Sequence, residues 1–222
     1  MSGSTRQPKQ YHPQPGDIFA CWGTDLVSRG ISIETSLTSW LFGPKGLRLS
    51  PSHVAIACRL PNSGRCYWYE STTMTPRRCL LAERPVTGVQ VHEISDRLRD
   101  YCINAQGAVA VYRLADIHTL EAGEAVRLQA ILQNLCGTPD RPAKRYDLAG
   151  AMISGTRVLK YSPFSRANLD SLFCSELIAA LLQRLCRMNH EDPSRYNPGY
   201  LLRQLVRQGT YRYETLFERR SE

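Results

Sequence analysis

Residues 51–72 read PSHVAIACRLPNSGRCYWYEST, and this stretch decides the fold class. Pro51 precedes an apolar run over 52–58 that is typical of a short strand. The turn residues Asn62-Ser63-Gly64 follow, and residues 65–72 then alternate in character like a second strand. Two strands joined by a tight turn predict an antiparallel hairpin.

The rest of the chain predicts three further strands and several helices around this hairpin. The strands are expected over 18–22, 89–94 and 108–114. Helix signals cover Thr24/Asp25 to about 40, a short piece from Ser95, about 119–136, about 146–154, Asp170/Ser171 to about 188, and Asn197/Pro198 to Gly209. Because strands dominate early and helices late, we expect an α+β fold with a central antiparallel sheet packed against helices.

Length and composition fit one globular domain. The chain has 222 residues, of which 42% are hydrophobic and 22% are charged. These values exclude collagen-like, coiled-coil and wholly disordered chains. Residues 1–14 are polar and rich in Pro and Gln, which predicts a flexible N-terminal tail. A single domain is expected over 15–222.

The chain is basic, with a formal net charge of +8. Such a surface attracts anionic partners, whether nucleic acid, a membrane surface or a cell-wall polymer. The arginines are scattered along the sequence, and neither a phosphate-binding glycine loop nor an RNA-recognition signature is present. We therefore expect no nucleic-acid partner, and a basic nucleic-acid-binding protein remains an alternative. The sequence gives no indication of the oligomeric state.

Targeting and cysteine usage indicate the compartment. The first ten residues contain no apolar core, and the longest apolar run covers only 177–182. We therefore expect no signal peptide or transmembrane segment, and a cytoplasmic location. There the eight cysteines are expected to be free thiols, ligands or nucleophiles in place of a disulfide framework. No two of them have Cys-x-x-Cys spacing, so we expect no metal site.

Cys174 is the first candidate for chemistry. It lies in the stretch Leu172-Phe173-Cys174-Ser175-Glu176-Leu177, within the first turn of the helix predicted to open at Asp170/Ser171. Backbone N–H groups and the positive end of the helix dipole favour a thiolate there, and the thiolate is the reactive form of cysteine. The alternative is ordinary core packing on an amphipathic helix. Ser175 and Glu176 are interpreted as structural residues of the first turn.

His53 and Glu70 supply the base and the acid that a nucleophilic cysteine needs. His53 begins the first hairpin strand and shares a face with Ala55 and Ala57, whose small side chains are expected to let the nucleophile helix approach. Glu70 lies on the partner strand, on the face of Trp68, where it can accept the other imidazole N–H. The alternatives are a core histidine and a carboxylate that caps the sheet edge.

Several pieces of the chain occur in the order found in a known family. They are Pro15-Gly16-Asp17-Ile18-Phe19, Ser52-His53-Val54-Ala55-Ile56, Trp68-Tyr69-Glu70-Ser71, Gly88-Val89-Gln90-Val91, Ala110-Val111-Tyr112-Arg113, Tyr146-Asp147 and Phe173-Cys174-Ser175-Glu176-Leu177-Ile178. With them the chain resembles the circularly permuted papain-like cysteine hydrolases of the NlpC type, the YiiX/YaeF-like group related to lecithin:retinol acyltransferases. The resemblance covers about residues 15–186. It implies a permuted papain-like fold with the nucleophile at a helix N-terminus, and the permutation accounts for the order His, Glu, Cys.

The resemblance also implies a role for each site residue. Cys174 attacks an acyl carbonyl, His53 shuttles the proton and Glu70 orients His53. The resulting acyl-enzyme thioester is resolved by water or by another nucleophile, and no metal or organic cofactor is implied. The Cys174 backbone N–H is expected to form part of an oxyanion hole. Tyr146 and Asp147 are expected to line the substrate cleft, or alternatively to form a helix N-terminus.

The implied substrates are peptide amides, including cell-wall peptides, or lipid-linked amides or esters. An anionic cell-wall polymer and an anionic lipid surface suit the basic charge equally well. A lipid acyltransferase or thioesterase is an alternative, and so is a catalytically silent member that binds a peptide or lipid in the same cleft. The apolar segment 31–42 is expected to pack in the core, with the wall of an acyl pocket as the alternative.

Overall fold

The computed structural model describes residues 11–22, 51–73, 75–144 and 173–218. The strands in these ranges are β1 (Ile18–Trp22), β2 (His53–Arg59), β3 (Cys66–Thr72), β4 (Gly88–His92), β5 (Ala108–Leu114) and β6 (Tyr211–Glu218). Together they form one antiparallel sheet in the order β4-β3-β2-β1-β5-β6.

Helices pack beside this sheet. The described α-helices are α1 (Ile94–Arg99), α2 (Ala122–Leu135), α3 (Cys174–Arg184) and α4 (Pro198–Arg207). A π-helical segment, Asp100–Asn104, continues α1. Over the residues described, the predicted α+β class is therefore confirmed, with one antiparallel sheet packed against helices. None of these helices is both long enough and apolar enough to cross a membrane.

The hairpin predicted over 51–72 is present. β2 and β3 are antiparallel neighbours, with Ile56 opposite Tyr69 and Ala57 opposite Trp68. The connection between them contains Asn62 at a φ of 58°, a left-handed conformation that Asn adopts more readily than most residues. Because both faces of these strands are buried, a slip of one residue would move every side chain to the wrong face, so burial fixes the register.

Two features differ from the sequence expectations. β4 ends at His92, and Ile94 begins α1 in place of ending the strand, because Ile94 packs onto the sheet from the helix. β6 was not predicted. Its sequence, YRYETLFE, mixes polar and half-buried positions because, among the described strands, it is an edge strand whose one partner is β5, across a register shift at Val111/Tyr112.

The two faces of the sheet are covered by different helices. We call the side that carries Phe19, Cys21, Ala55, Ala57 and Trp68 the front face, and α1 and the π-helical segment pack on it through Ile94 and Cys102. We call the opposite side the back face. It carries Ile18, Ala20, Val54, Ile56, Cys58 and Tyr69, and it packs against α2, α3 and α4 through Leu128, Leu132, Leu177, Ile178, Leu181, Leu201 and Leu205.

Several expectations fall on residues that lie outside the described ranges. These are residues 1–10 of the tail, the helices expected over about 24–40 and 146–154, the apolar segment 31–42, and the cleft candidates Tyr146 and Asp147. Within the remainder of the predicted tail, Tyr11 packs against Phe19 and Phe217, with ring centroids 6.5 Å and 5.7 Å apart.

A buried carboxylate ties the start of β1 to the rest of the sheet. Asp17 is 1% exposed and accepts hydrogen bonds from the Tyr11 hydroxyl at 2.7 Å and the Gln14 backbone N–H at 2.9 Å. Arg113 on β5 donates to both carboxylate oxygens, from Nε at 3.0 Å and from Nη2 at 2.8 Å. This one side chain therefore connects the segment before β1 to the neighbouring strand.

The Asp17→Ala variant is expected to lose about 3 kcal/mol of unfolding free energy, because it leaves the largely buried Arg113 guanidinium without its main partner. Chemical denaturation of both proteins measures the difference. The matched control is Asp116→Ala, which removes the exposed ion pair between Asp116 and Arg212 and should cost less than about 1 kcal/mol. Equal losses in the two variants would contradict the structural role given to Asp17.

Candidate active site

α3 begins at Cys174. Phe173 is the N-cap, in an extended conformation, so the helix start lies later than the sequence signal at Asp170/Ser171, residues that fall outside the described ranges. The Phe173 backbone N–H donates to Glu176 Oε2 at 3.2 Å, and Ser175 Oγ donates to the Tyr196 carbonyl at 2.5 Å. These bonds anchor the first turn, as expected for Ser175 and Glu176. As the first helical residue, Cys174 has a backbone N–H with no acceptor inside the helix.

His53 is the first residue of β2 and lies directly opposite Cys21 on β1. The strand entry is held by two hydrogen bonds from Ser52, whose backbone N–H and hydroxyl both donate to the Cys21 carbonyl, at 2.9 Å and 3.3 Å. The Cys174 thiol lies within hydrogen-bonding reach of the imidazole. The two residues proposed from separate parts of the sequence are therefore neighbours.

The approach of α3 to His53 differs from the expected one. Ala55 and Ala57 belong to the front face, whereas α3 packs on the back face, against the side that carries Val54 and Ile56. The expectation that the two alanines admit the helix is therefore wrong. Cys174 and His53 meet because each is the first residue of its element, so the thiol and the imidazole come together at the end of the sheet.

Glu70 lies beside His53 on β3. His53 Nε2 is 2.8 Å from Glu70 Oε2, a charge-assisted hydrogen-bond distance. The three side chains form a continuous series from Cys174 through His53 to Glu70, and all are buried: Cys174 is 3% exposed, His53 9% and Glu70 0%. An imidazole held between a thiol and a carboxylate has the arrangement of a nucleophile, a base and an orienting acid.

The charges around His53 favour its protonated form. Burial by itself disfavours an imidazolium, but the negative charge and hydrogen bond of Cys174, together with those of Glu70, outweigh burial and raise the pKa of His53 to about 9. The imidazole therefore carries a proton at neutral pH, beside the sulfur atom.

Arg97 is a site residue that the sequence analysis did not identify. It lies on α1 and contacts both oxygens of the Glu70 carboxylate, with Nε 2.7 Å from Oε1 and Nη2 3.1 Å from Oε2. Burial would raise the pKa of Glu70, but the positive charge of Arg97 and the hydrogen bond from His53 hold it well below its usual value. A short helix with several charged residues gives no sequence signal that one of its arginines is buried.

Tyr101, on the π-helical segment, is a second residue beside His53 that the sequence analysis did not identify. Its ring is stacked on the His53 ring, with centroids 6.2 Å apart and planes 13° apart. The Arg97 guanidinium carbon lies 5.1 Å from the centroid of the same tyrosine ring. π-helical turns are rare and occur frequently at functional sites, and this one carries an aromatic ring to the imidazole.

All eight cysteines are free thiols, as expected. Burial raises the pKa of Cys58 to about 12 and that of Cys66 to about 11, and it raises the pKa values of Cys21, Cys102 and Cys136 as well. These five thiols therefore keep their protons at neutral pH and react slowly with alkylating reagents.

Over the part of the chain that the structure describes, no three His, Cys, Asp or Glu side chains are grouped so that they could hold a metal ion. Tyr146 and Asp147 stay predictions, because both lie outside the described ranges.

Comparisons with known proteins give a distant structural similarity. No protein-family model and no curated protein matches the chain. Among solved structures, it is similar to the crystal structure of the metalloprotein yiiX from Escherichia coli O157:H7, with 15% identity and a TM-score of 0.47. The alignment covers 90% of this chain and 84% of that one.

Proposed function

We propose that this protein is a cysteine hydrolase in which Cys174 is the nucleophile, His53 the base and Glu70 the residue that orients His53. The observation that carries the proposal is the buried, continuous series of contacts from the Cys174 thiol through the imidazole to the Glu70 carboxylate. The position of Cys174 at the first residue of an 11-residue helix adds support, because a helix N-terminus stabilises negative charge.

The proposed reaction proceeds through a thioester. The Cys174 sulfur attacks an acyl carbonyl, and the oxygen that becomes negative accepts a hydrogen bond from the Cys174 backbone N–H. The His53 imidazolium then gives its proton to the leaving amine or alcohol as the carbonyl–heteroatom bond breaks. Water, deprotonated by His53, attacks the thioester and releases the acid and the thiolate.

The proposed substrates are peptide amides, including cell-wall peptides, and lipid-linked amides or esters. The permuted papain-like order of His53, Glu70 and Cys174 and the net charge of +8 are consistent with these classes, and Tyr146 and Asp147 are the proposed cleft residues. If an amine or alcohol replaces water as the acceptor, the same thioester leads to acyl transfer. A catalytically silent protein that only binds peptide or lipid would have no need for an imidazolium beside a buried thiol.

Competitive alkylation tests the nucleophile directly. With limiting iodoacetamide between pH 5 and 8, we expect Cys174 to be labelled first, because it interacts with the His53 imidazolium, whereas burial raises the pKa of Cys21, the thiol opposite His53 on β1. Peptide mapping of all eight cysteines measures the order of labelling.

Cys186 is the internal control because it is exposed and lies beyond the C-terminal end of α3, at the opposite end of that helix from Cys174. An exposed thiol that has no imidazolium beside it reacts slowly in acid, so Cys186 should be labelled after Cys174 at pH 5. Labelling of Cys186 ahead of Cys174 at pH 5 would contradict the proposal and would favour a protein that binds without turnover.

A further inference from the structure

We propose that Arg97 is a positioning residue of this site, which keeps the Glu70 carboxylate ionised and aligned on His53 and thereby maintains the reactivity of Cys174 at low pH. This inference rests on the proposed function. It assigns a role to a residue on the short helix α1, which covers the front face and contributes none of the three proposed catalytic side chains.

The contact between Arg97 and Glu70 fixes the direction of the carboxylate. Arg97 Nη2 donates a hydrogen bond to Glu70 Oε2 at 3.1 Å, and Arg97 Nε lies 2.7 Å from Oε1 in an ion-pair contact whose angle makes no hydrogen bond, so both carboxylate oxygens face the guanidinium. Oε2 is the oxygen that also contacts His53 Nε2, at 2.8 Å. The orientation of the imidazole is therefore set by the guanidinium through the carboxylate.

Arg97 is also important for the negative charge of the Glu70 carboxylate, because of the groups that surround that carboxylate. The polar or titratable groups that face Glu70 from the described elements are Cys21 on β1, His53 on β2, Gln90 and His92 on β4, Arg97 on α1 and Tyr101 on the π-helical segment, and Cys174 on α3 interacts with His53. Within this set, only the guanidinium is positively charged at every accessible pH.

His92 does not substitute for Arg97. Its Nε2 is 2.9 Å from Gln90 Oε1 and 3.8 Å from Glu70 Oε1, and burial lowers the pKa of His92 below its usual value. A neutral imidazole at that distance leaves the negative charge of Glu70 to be balanced by Arg97 and by protonated His53.

Asp100, which is in turn bound by Arg77, holds Arg97 in place on the side away from Glu70. Arg97 Nη1 donates to Asp100 Oδ2 at 2.8 Å, and Arg77 donates to both oxygens of the same aspartate, at 2.5 Å and 2.6 Å. Charges therefore alternate from His53 through Glu70, Arg97 and Asp100 to the partly exposed Arg77. A side chain fixed at both ends is suited to hold a carboxylate in one orientation.

Loss of Arg97 has a consequence that depends on pH. A carboxylate with no exposed surface and no permanent cation beside it takes up a proton at a higher pH. A protonated Glu70 no longer stabilises the imidazolium, so the proton of the Cys174–His53 pair moves from the imidazole to the sulfur and leaves a less reactive thiol. The defect should therefore grow as the pH falls and should shrink as Glu70 ionises again.

The test measures the rate of Cys174 alkylation by iodoacetamide, in the full-length protein, from pH 5 to pH 8. For Arg97→Gln we expect a loss of about tenfold or more at pH 5 relative to the wild type, and a loss of less than about threefold at pH 8. Arg97→Lys keeps the charge without the planar guanidinium, so we expect a wild-type pH profile with a labelling rate between those of the wild type and Arg97→Gln at pH 5. Arg99→Gln is the matched control, because Arg99 lies on the same helix with a side chain 60% exposed, 3.8 Å from Asp96.

The outcomes separate this inference from the proposed function. If the wild type shows no preferential labelling of Cys174, the proposed function fails, and the role of Arg97 fails with it. If the wild type behaves as proposed but Arg97→Gln shows the same pH profile, or a loss equal at every pH, only the positioning role is overturned. If circular dichroism shows that Arg97→Gln does not fold, Arg97→Lys decides: a Cys174 labelling rate below that of the wild type supports the positioning role, and a rate equal to that of the wild type overturns it.

Discussion

The Cys174→Ala variant is expected to lose turnover by about a thousandfold or more, because no other side chain in the series from Cys174 to Glu70 is a nucleophile that can form the thioester. The fold should be unchanged, since the loss of one sulfur atom at the end of α3 leaves the Ser175 and Glu176 anchors of the first turn intact. A panel of peptide amides and of activated acyl esters, hydrolysed by the wild type, provides the rates. Circular dichroism and thermal unfolding provide the check on folding.

A cysteine outside the site serves as the control for this substitution. Cys186→Ala removes an exposed thiol from the same chain, and we expect it to keep the wild-type rate on every substrate that the panel identifies. If Cys174→Ala retained the activity of the wild type while Cys186→Ala lost it, the nucleophile would be assigned to the wrong cysteine. Equal activity in all three proteins would mean that the observed hydrolysis requires neither thiol.

The His53→Gln variant is expected to lose the preferential alkylation of Cys174 below neutral pH. Without an imidazolium, an ordinary thiol with a pKa of about 8.5 is ionised to less than about 1% at pH 6, so labelling should slow by about a hundredfold there. The difference in labelling rate between His53→Gln and the wild type should narrow above pH 8, where such a thiol ionises without assistance. Glutamine preserves a polar side chain next to Glu70, which limits the effect on folding.

Both the stability and the turnover of the wild type are expected to decrease at high pH. Because the pKa of His53 is raised from its ordinary value of 6.5 to about 9, the protonated imidazole is stabilised by folding. Its contribution to stability is fully present below about pH 6.5 and is lost as the pH rises through about 9. Turnover should fall over the same upper range, because the leaving group then has no proton to accept.

Glu70→Gln is expected to reduce the turnover rate less than the replacement of either His53 or Cys174, because Glu70 orients His53 and does not react. A rate lower than that of His53→Gln would contradict the assigned roles. A rate equal to that of the wild type would show that the 2.8 Å contact between His53 and Glu70 has no part in the reaction.

Much of the sheet could be predicted from local patterns. β1 and β5 have the expected bounds, and β2 and β3 pair as the hairpin predicted, because period-two alternation and turn residues are local signals. β6 escaped prediction because an edge strand needs only one partner and exposes polar side chains. The start of α3 was misjudged because helix ends depend on cap geometry, which sequence signals locate only approximately.

The sequence by itself determined the α+β class, the hairpin that brings Glu70 close to His53, and the candidacy of Cys174 at a helix start. Each of these follows from residues that are neighbours along the chain or across one short turn. Only the tertiary structure decided that α3 packs on the back face, so that Cys174 reaches His53 at the end of the sheet.

The tertiary structure alone also brought Arg97 and Tyr101 into the site. Both come from the short segment that covers the front face, and no pattern in that segment distinguishes a buried arginine from the solvent-exposed Arg99 two residues later. Burial of a charge depends on a partner distant in sequence, here Glu70, 27 residues away. Such pairs form when elements pack against each other, which is why local sequence rules do not contain them.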